Sequence, residues 1–327
     1  MSTNPKIDFA VGGQAVIEGV MMRSPNFYTV SVRDSKGKIK TRQKKFVSLM
    51  KRMRVKGVSV LNIPLLRGLI HLVESMIIGI RSLNYSNAIF LDEDVAEDDE
   101  TDSGGKETSI WKKFLFGFLG IVYVLGTLTF TIFLLKFLPL WIAEKAAEIW
   151  PYVEQHYLLF NAIDGVTKIT IFLTYIIVIS AMKDIRRVFQ YHGAEHKSIF
   201  AYEAGEELTV ENARKQSRFH PRCGTSFIFI VILMSVLVYT AIPPADTFWA
   251  KLGDRLIVIP IIAGISYELL KLSAKWQKNM LMRVFMAPGL WLQKLTTREP
   301  DDDQLEIALH SLKESLKVEE EFSQEST

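Results

Sequence analysis

The sequence predicts a mainly α integral membrane protein, with about four transmembrane helices and a small cytoplasmic α+β module at the N-terminus. Three observations carry this. Apolar residues arrive in blocks, although the mean hydropathy of the whole chain is only +0.16. Lys and Arg gather beside some of these blocks and not others. The first 57 residues show strand-like alternation and glycine-rich turns where a helical period would be expected. The composition excludes other classes. With 49% hydrophobic and 23% charged residues the chain is neither collagen-like nor wholly disordered. Its single cysteine, Cys223, cannot make a disulfide framework or a paired-cysteine zinc ribbon.

The segments are expected as follows. Residues 1–91 form the N-terminal module, 92–109 an acidic disordered linker, 110–290 the membrane domain, and 291–327 a cytoplasmic tail with an amphipathic helix. In the module, Tyr28–Val32 and Lys38–Arg42 alternate around the turn Asp34–Gly37, which reads as a β-hairpin. Gly12 and Gly13 permit a tight turn or close backbone approach, and no Gly-Lys-Ser/Thr follows to make a phosphate loop. Residues 58–83 place Arg67, His71, Glu74 and Arg81 on one face of an amphipathic helix lying on the membrane or against the spans. Between Arg33 and Lys56 stand eleven basic residues and one acid, a patch for anionic lipid or ribosomal RNA phosphates, or simply a solvated face. Residues 92–107 carry nine acids and one lysine, as a linker does.

Four apolar runs follow. Phe114–Leu135 holds 22 uncharged residues, matching the roughly 20 that a bilayer-crossing helix needs. Ile169–Met182 reaches full length only with Val166 and a snorkelling Lys168. Thr225–Ile242 ends at a Pro-Pro pair, and Leu256–Tyr267, the weakest, carries Pro260 and Gly264 before Glu268. The segment 183–224 between the second and third runs holds eight Lys/Arg, as does the chain from Lys271 on, against three in 136–168 and two in 243–255. Positive residues accumulate on the cytoplasmic side, so both termini and the 183–224 loop are expected there, with no signal peptide. In the tail, Asp303 with Glu306 reads as a capping box, and Leu305, Leu309, Leu312 and Leu316 make a stripe for self-docking or for a protein partner.

The chemistry concentrates in that loop. His192-Gly-Ala-Glu195-His196 is followed by His220-Pro-Arg-Cys223. Histidines at i and i+4 share a helical face, and imidazole and thiolate suit zinc. The H-x-x-E-H order matches the inverted zinc-peptidase motif, in which Glu195 would activate a water at the metal. If His192, His196, His220 and Cys223 all bind, the site is closed and structural. If three bind, a position stays open and Glu195 is a candidate general base. Glu203, Glu206, Glu207 and Glu211 are alternative carboxylate ligands by proximity in sequence. Glu18, in the glycine-rich segment, and Glu268, at the end of the fourth run, are further candidates. Glu268 is alternatively a partner for Lys271 one turn on.

Four blocks, Gly12–Arg23, Tyr191–Lys197, His220–Phe227 and Thr296–Asp302, resemble the YqhQ family, uncharacterised bacterial membrane proteins described as predicted metal-dependent enzymes. The resemblance spans nearly the whole chain. It implies a bacterial plasma-membrane location and no particular reaction. The likeness to zinc peptidases covers residues 192–196 alone, without a third carboxylate ligand at diagnostic spacing. Two functions are therefore expected in competition. One is a metal-dependent hydrolase at the membrane surface. The other is a non-catalytic accessory or scaffold protein, zinc-stapled, whose basic module contacts lipid or a ribosome at the insertion machinery. A transporter ranks behind both, because four spans and one Glu268 offer little translocation pathway.

Overall fold

The computed structural model describes residues 11–49, 54–55, 58–59, 64–92, 122–123, 125–275 and 279–325. Most of them are helical. The acidic linker from 93 onward and residues 114–121 of the first apolar run lie outside the described residues. The chain divides into two compact units: Met1–Val95 with Ile176–Ile230 and Ala263–Thr327, and Ala96–Tyr175 with Val231–Ile262. The grouping cuts across the expected segments 1–91, 110–290 and 291–327. The N-terminal module, the His/Cys loop and the tail share one unit.

That first unit is a layered structure built on a meander of β1 (Gly12–Val16), β2 (Gly19–Arg23), β3 (Phe27–Arg33) and β4 (Ile39–Lys45), in sheet order β1-β2-β3-β4. The expected hairpin corresponds to β3 and β4, with Arg33 opposite Ile39. Asp34 closes its turn by accepting backbone N–H bonds from Lys36 and Lys38 at 2.9 and 2.8 Å. Side chains alternate across a sheet, and here both faces are buried. One face sends Val16, Met21, Tyr28, Val30 and Val32 against Ile78, Tyr85 and Ile89 of α1 (Pro64–Phe90). The other sends Val20 and Met22 against later helices. The residue pairs β5 (Arg54–Val55) and β6 (Val58–Ser59) form a separate short ladder.

The helices that follow are α2 (Leu125–Ile149), α3 (Pro151–Gln155), α4 (Tyr157–Ser180), α5 (Lys183–Glu203), α6 (Val210–Lys215), α7 (Gly224–Ala241), α8 (Phe248–Ile257), α9 (Ile259–Lys275), α10 (Met280–Thr296) and α11 (Asp302–Glu325). Three of them, α2, α4 and α7, are long and apolar enough to cross a membrane, or up to four spans if the pair α8 and α9, bent by 44°, counts as one. The fourth apolar run is thus the middle of a broken helix pair, with the break at Val258. The tail helix α11 lies on the sheet and α5, burying Leu305, Ile307, Ala308, Leu309 and Leu312 with Val20, Met22 and Tyr191. Its Ser311 hydroxyl donates to the Val20 and Thr29 carbonyls at 3.0 and 3.1 Å. The leucine stripe is therefore covered by this chain itself, and a protein partner would have to meet another face of α11. The reciprocal cap is Asp301 with Gln304, at 3.0 and 2.9 Å, two residues before the expected Asp303.

The second unit holds a buried charge network. Arg255 contacts Asp164 at 2.5 Å and donates to Asn161 at 2.8 Å, and Lys168 pairs with the same Asp164. Lys136, in a π-helical turn (Phe133–Phe137), donates to the Tyr239 hydroxyl at 2.9 Å. Lys168 is thus held by a carboxylate one turn back, where the sequence suggests snorkelling to a surface. Replacing Asp164 with Ala leaves two buried cations without their anion. Denaturation in detergent is expected to show a loss of about 3–5 kcal/mol, while a substitution at exposed Leu237 should leave stability nearly unchanged.

Candidate metal centre

Helix α5 offers His192 and His196 on one face by their i, i+4 spacing. The sequence leaves open which ring nitrogen each would use, and the fold fixes it. His192 Nδ1 lies 2.9 Å from the Thr296 carbonyl, and His196 Nδ1 lies 2.6 Å from the Arg218 carbonyl. A carbonyl only accepts, so each Nδ1 is the donor and each Nε2 is the ring nitrogen left for the cluster. This is how proteins orient imidazoles that bind metal. His192 Nε2 is 3.2 Å from Cys223 Sγ, and donor atoms of His192, His196 and Cys223 all lie within 4.8 Å of one another. Tetrahedral zinc with ligands at 2.0–2.3 Å needs donors about 3.3–3.8 Å apart, which this cluster approaches. Burial drives the His196 pKa down, favouring the neutral imidazole a metal requires.

Glu195 is buried beside the cluster, its Oε2 3.6 Å from His196 Nε2 and 3.9 Å from His192 Nε2. Burial raises its pKa, while His192 and His220 and a backbone hydrogen bond from Gly13 oppose the rise. Gly13 is needed for that contact. A Cβ there would stand 2.6 Å from Glu195 Cγ and 2.9 Å from the Met21 carbonyl. A side chain at Gly193 would likewise collide with the Arg298 carbonyl. Its absence lets the 297–300 strap cross α5, with Arg298 N–H bonded to the Phe189 carbonyl at 2.8 Å. Arg218 also donates to the Thr297 carbonyl at 2.6 Å, tying the strap to the chain that holds His196.

The structure brings together His192, Glu195, His196 and Cys223, and treats His220, Glu18 and Glu268 differently. His220 is buried, but its Nε2 faces Glu203 at 3.6 Å, its Nδ1 accepts from Arg222 N–H at 3.3 Å, and its backbone is gripped by Gln293 on both sides at 2.7 Å. Burial lowers its pKa as well. Glu203 in turn pairs with Arg222. Glu18 sits at φ 51 in the β1–β2 turn, held by Arg187 at 2.7 Å and by the Tyr191 hydroxyl at 3.3 Å. Glu268 makes a forked ion pair with Arg67 at 2.6 and 2.8 Å, not the pair with Lys271 considered from spacing. These two acids fasten elements of the fold.

A cavity of about 620 Å³ opens onto the cluster, lined by His192, Glu195, His196, His220 and Cys223 and, from α1, by His71 and Ser75. Arg23 of β2 also lines it, half-desolvated and 3.9 Å from Glu74. Sequence reasoning did not place Arg23 or the α1 residues in the site. The i, i+4 spacing of Arg67 and His71 marks their common face, but not what that face meets.

Residues 63–318 match the family described as "Protein of unknown function (DUF1385)". The "Uncharacterized protein YqhQ" of Bacillus subtilis (strain 168) is 37% identical over 314 residues, covering 96% of this chain and 94% of the relative. No solved structure matches. The four blocks that carry the resemblance meet at this centre, through Gly13, His192 and His196 of α5, Cys223 and Thr296. A Gly193→Ala substitution should therefore displace the strap, with a stability loss of about 1–3 kcal/mol by thermal denaturation. An Ala introduced at Gly205, where nothing lies within 4 Å, would act only through its positive φ of 70.

Proposed function

The chain belongs to the YqhQ (DUF1385) family, and from that premise and the centre's geometry we propose an integral membrane protein with a zinc-dependent hydrolase site. His192, His196 and Cys223 are its protein ligands. The single observation that carries this is the pair of imidazoles whose Nδ1 atoms are spent on backbone carbonyls while their Nε2 atoms turn toward one thiol. When bound, the metal supplies a Lewis acid that polarises a substrate carbonyl and acidifies water. Glu195, adjacent to both Nε2 atoms and raised in pKa by burial, is the general base that accepts a proton from the attacking water and returns it to the leaving group. Gly13 N–H holds that carboxylate in place. The substrate class is an amide or ester.

The membrane reading is supported by the three apolar helices and the bent pair. Sidedness is supported by the charge bias: the 183–224 segment holds eight Lys/Arg, whereas Lys136, Lys168 and Arg255 of the two short connections sit in the buried network and not in loops. Both termini and the metal site then face the cytoplasm of a bacterial cell.

One observation favours a non-catalytic scaffold instead. Segments distant in the chain, at Gly13, Arg218 and Thr296, converge on the ligands, so a metal would staple them together. Exposed Lys36, Lys38 and Lys40 would then offer contact to anionic lipid or RNA phosphates. Other basic residues of that segment already have partners within the chain, Arg33 with Glu306 at 2.7 Å and Lys45 over the Phe322 ring.

Metal analysis with X-ray absorption on the purified full chain separates the two. The hydrolase predicts about one zinc per chain with two nitrogen and one sulfur protein ligands and an open position. His192→Ala and Cys223→Ser should lose the metal. Glu195→Gln should keep it and lower turnover of amide or ester substrates by about 10²–10⁴-fold. Four protein ligands, with Glu195→Gln harmless in the cell, would establish the scaffold.

A further inference from the structure

Helix α1 is amphipathic in the reverse sense of a helix on a soluble protein. Arg67, His71 and Glu74 point inward. Arg67 is spent on Glu268, and Glu74 accepts from Ser48 Oγ and Leu49 N–H at 2.9 and 2.6 Å and faces His71 at 3.4 Å. On the other side Leu66, Val73, Met76, Ile77 and Ile80 are exposed, Met76 to 60% and Ile80 to 51%. Their i, i+3, i+4 spacing makes one stripe, about 21 Å long at 1.5 Å per residue. No ionisable side chain interrupts it from Leu65 to Ile80, and exposed Arg81 follows at its end. Contiguous exposed apolar surface of this extent marks a docking face.

The fastening of α1 says what covers that face. Gly68 meets the Tyr267 ring, where a Cβ would come within 3.0 Å, and Gly264 meets Leu65, where a Cβ would stand 2.8 Å from the carbonyl. With the Arg67–Glu268 pair, these contacts clamp the first turns of α1 onto α9, the second arm of the bent apolar pair. We propose that the outer stripe of α1 is seated among the acyl chains of the bilayer that α9 enters. The inner face, through His71 and Ser75, lines the candidate metal cavity, so one helix separates that cavity from lipid. The inference rests on the membrane reading above and goes beyond it, since α1 is not itself one of the apolar spans.

The test is nitroxide accessibility on the full chain in phosphatidylglycerol–phosphatidylethanolamine nanodiscs. Ketone-reactive labels on p-acetylphenylalanine, introduced singly at positions 76 and 80, leave Cys223 untouched. Position 237, exposed on α7, is the bilayer reference, and position 38, in the hairpin turn, the aqueous one. The expected result is an oxygen-to-nickel-chelate collision ratio at 76 and 80 that matches 237 and far exceeds 38. A ratio matching 38 overturns the proposal, as does exclusion of both reagents, which would mean that protein, such as a second copy of the chain, covers the stripe. If 237 itself reads as aqueous, the membrane reading fails. If 237 reads as lipid and 76 and 80 do not, only this inference falls.

Discussion

Aiming two imidazoles at one point requires that each ring be held by its far nitrogen. That constraint organises the first unit. The carbonyls that do the holding belong to Thr296 and Arg218, neither of which is on α5. Each must be brought to hydrogen-bond distance and kept there. The strap after α10 can approach only because residue 193 lacks a side chain, and Arg218 is kept by its own bond to Thr297. Gln293 repeats the device one turn earlier, gripping the His220 backbone from both sides. The groups that hold the two rings are main-chain carbonyls, and the side chains of Arg218 and Gln293 fasten the segments around them. The result is a preorganised donor set built from four separate stretches of chain.

The same logic sets the layering. A sheet with both faces covered needs a helix on each side, and here the two helices have opposite tasks. Tail helix α11 closes the far face with a leucine stripe and a buried Ser311 that bonds sheet carbonyls. Helix α1 closes the near face with Ile78, Tyr85 and Ile89, and continues past the edge of β1 to wall the cavity. Because β1 is an edge strand, its outer backbone is open to a partner, and Gly13 N–H uses that freedom to hold Glu195. The catalytic candidate and the sheet edge are thus one feature.

How much of this was legible in the sequence follows from which atoms do the work. The β3–β4 hairpin shows as alternation with a strong turn, and the first and third apolar runs show by length. Strands β1 and β2 were harder to see, because Gly12, Gly13 and Gly19 dilute the alternation. That His192 and His196 share a helical face was legible through their spacing, while the approach of Cys223 to them was suggested only by its neighbour His220. Backbone carbonyl partners leave no signature in side-chain patterns, so the tethers of His192 and His196 could not be read. The polar face of α1 was legible, but its direction was not, since the same periodicity serves a helix turned to water and one turned to a buried site. The cap at Asp301 was displaced by two residues because three successive aspartates offer equivalent candidates and the entering strap selects one.

The choice between three and four protein ligands turns on His220. It has the right chemistry, and it lies within a residue triplet of Cys223. Yet its Nε2 faces Glu203, and its Nδ1 is occupied by the Arg222 N–H. For His220 to join the cluster its ring would have to turn away from Glu203, a carboxylate that is itself paired with Arg222. A tetrahedral shell does not need that rearrangement if the fourth position is meant for a small ligand from the cavity. Glu195, by contrast, already borders both Nε2 atoms without moving. Both neighbours line the cavity, and they differ in what they face: His220 Nε2 is turned to Glu203, whereas Glu195 borders the Nε2 atoms of His192 and His196.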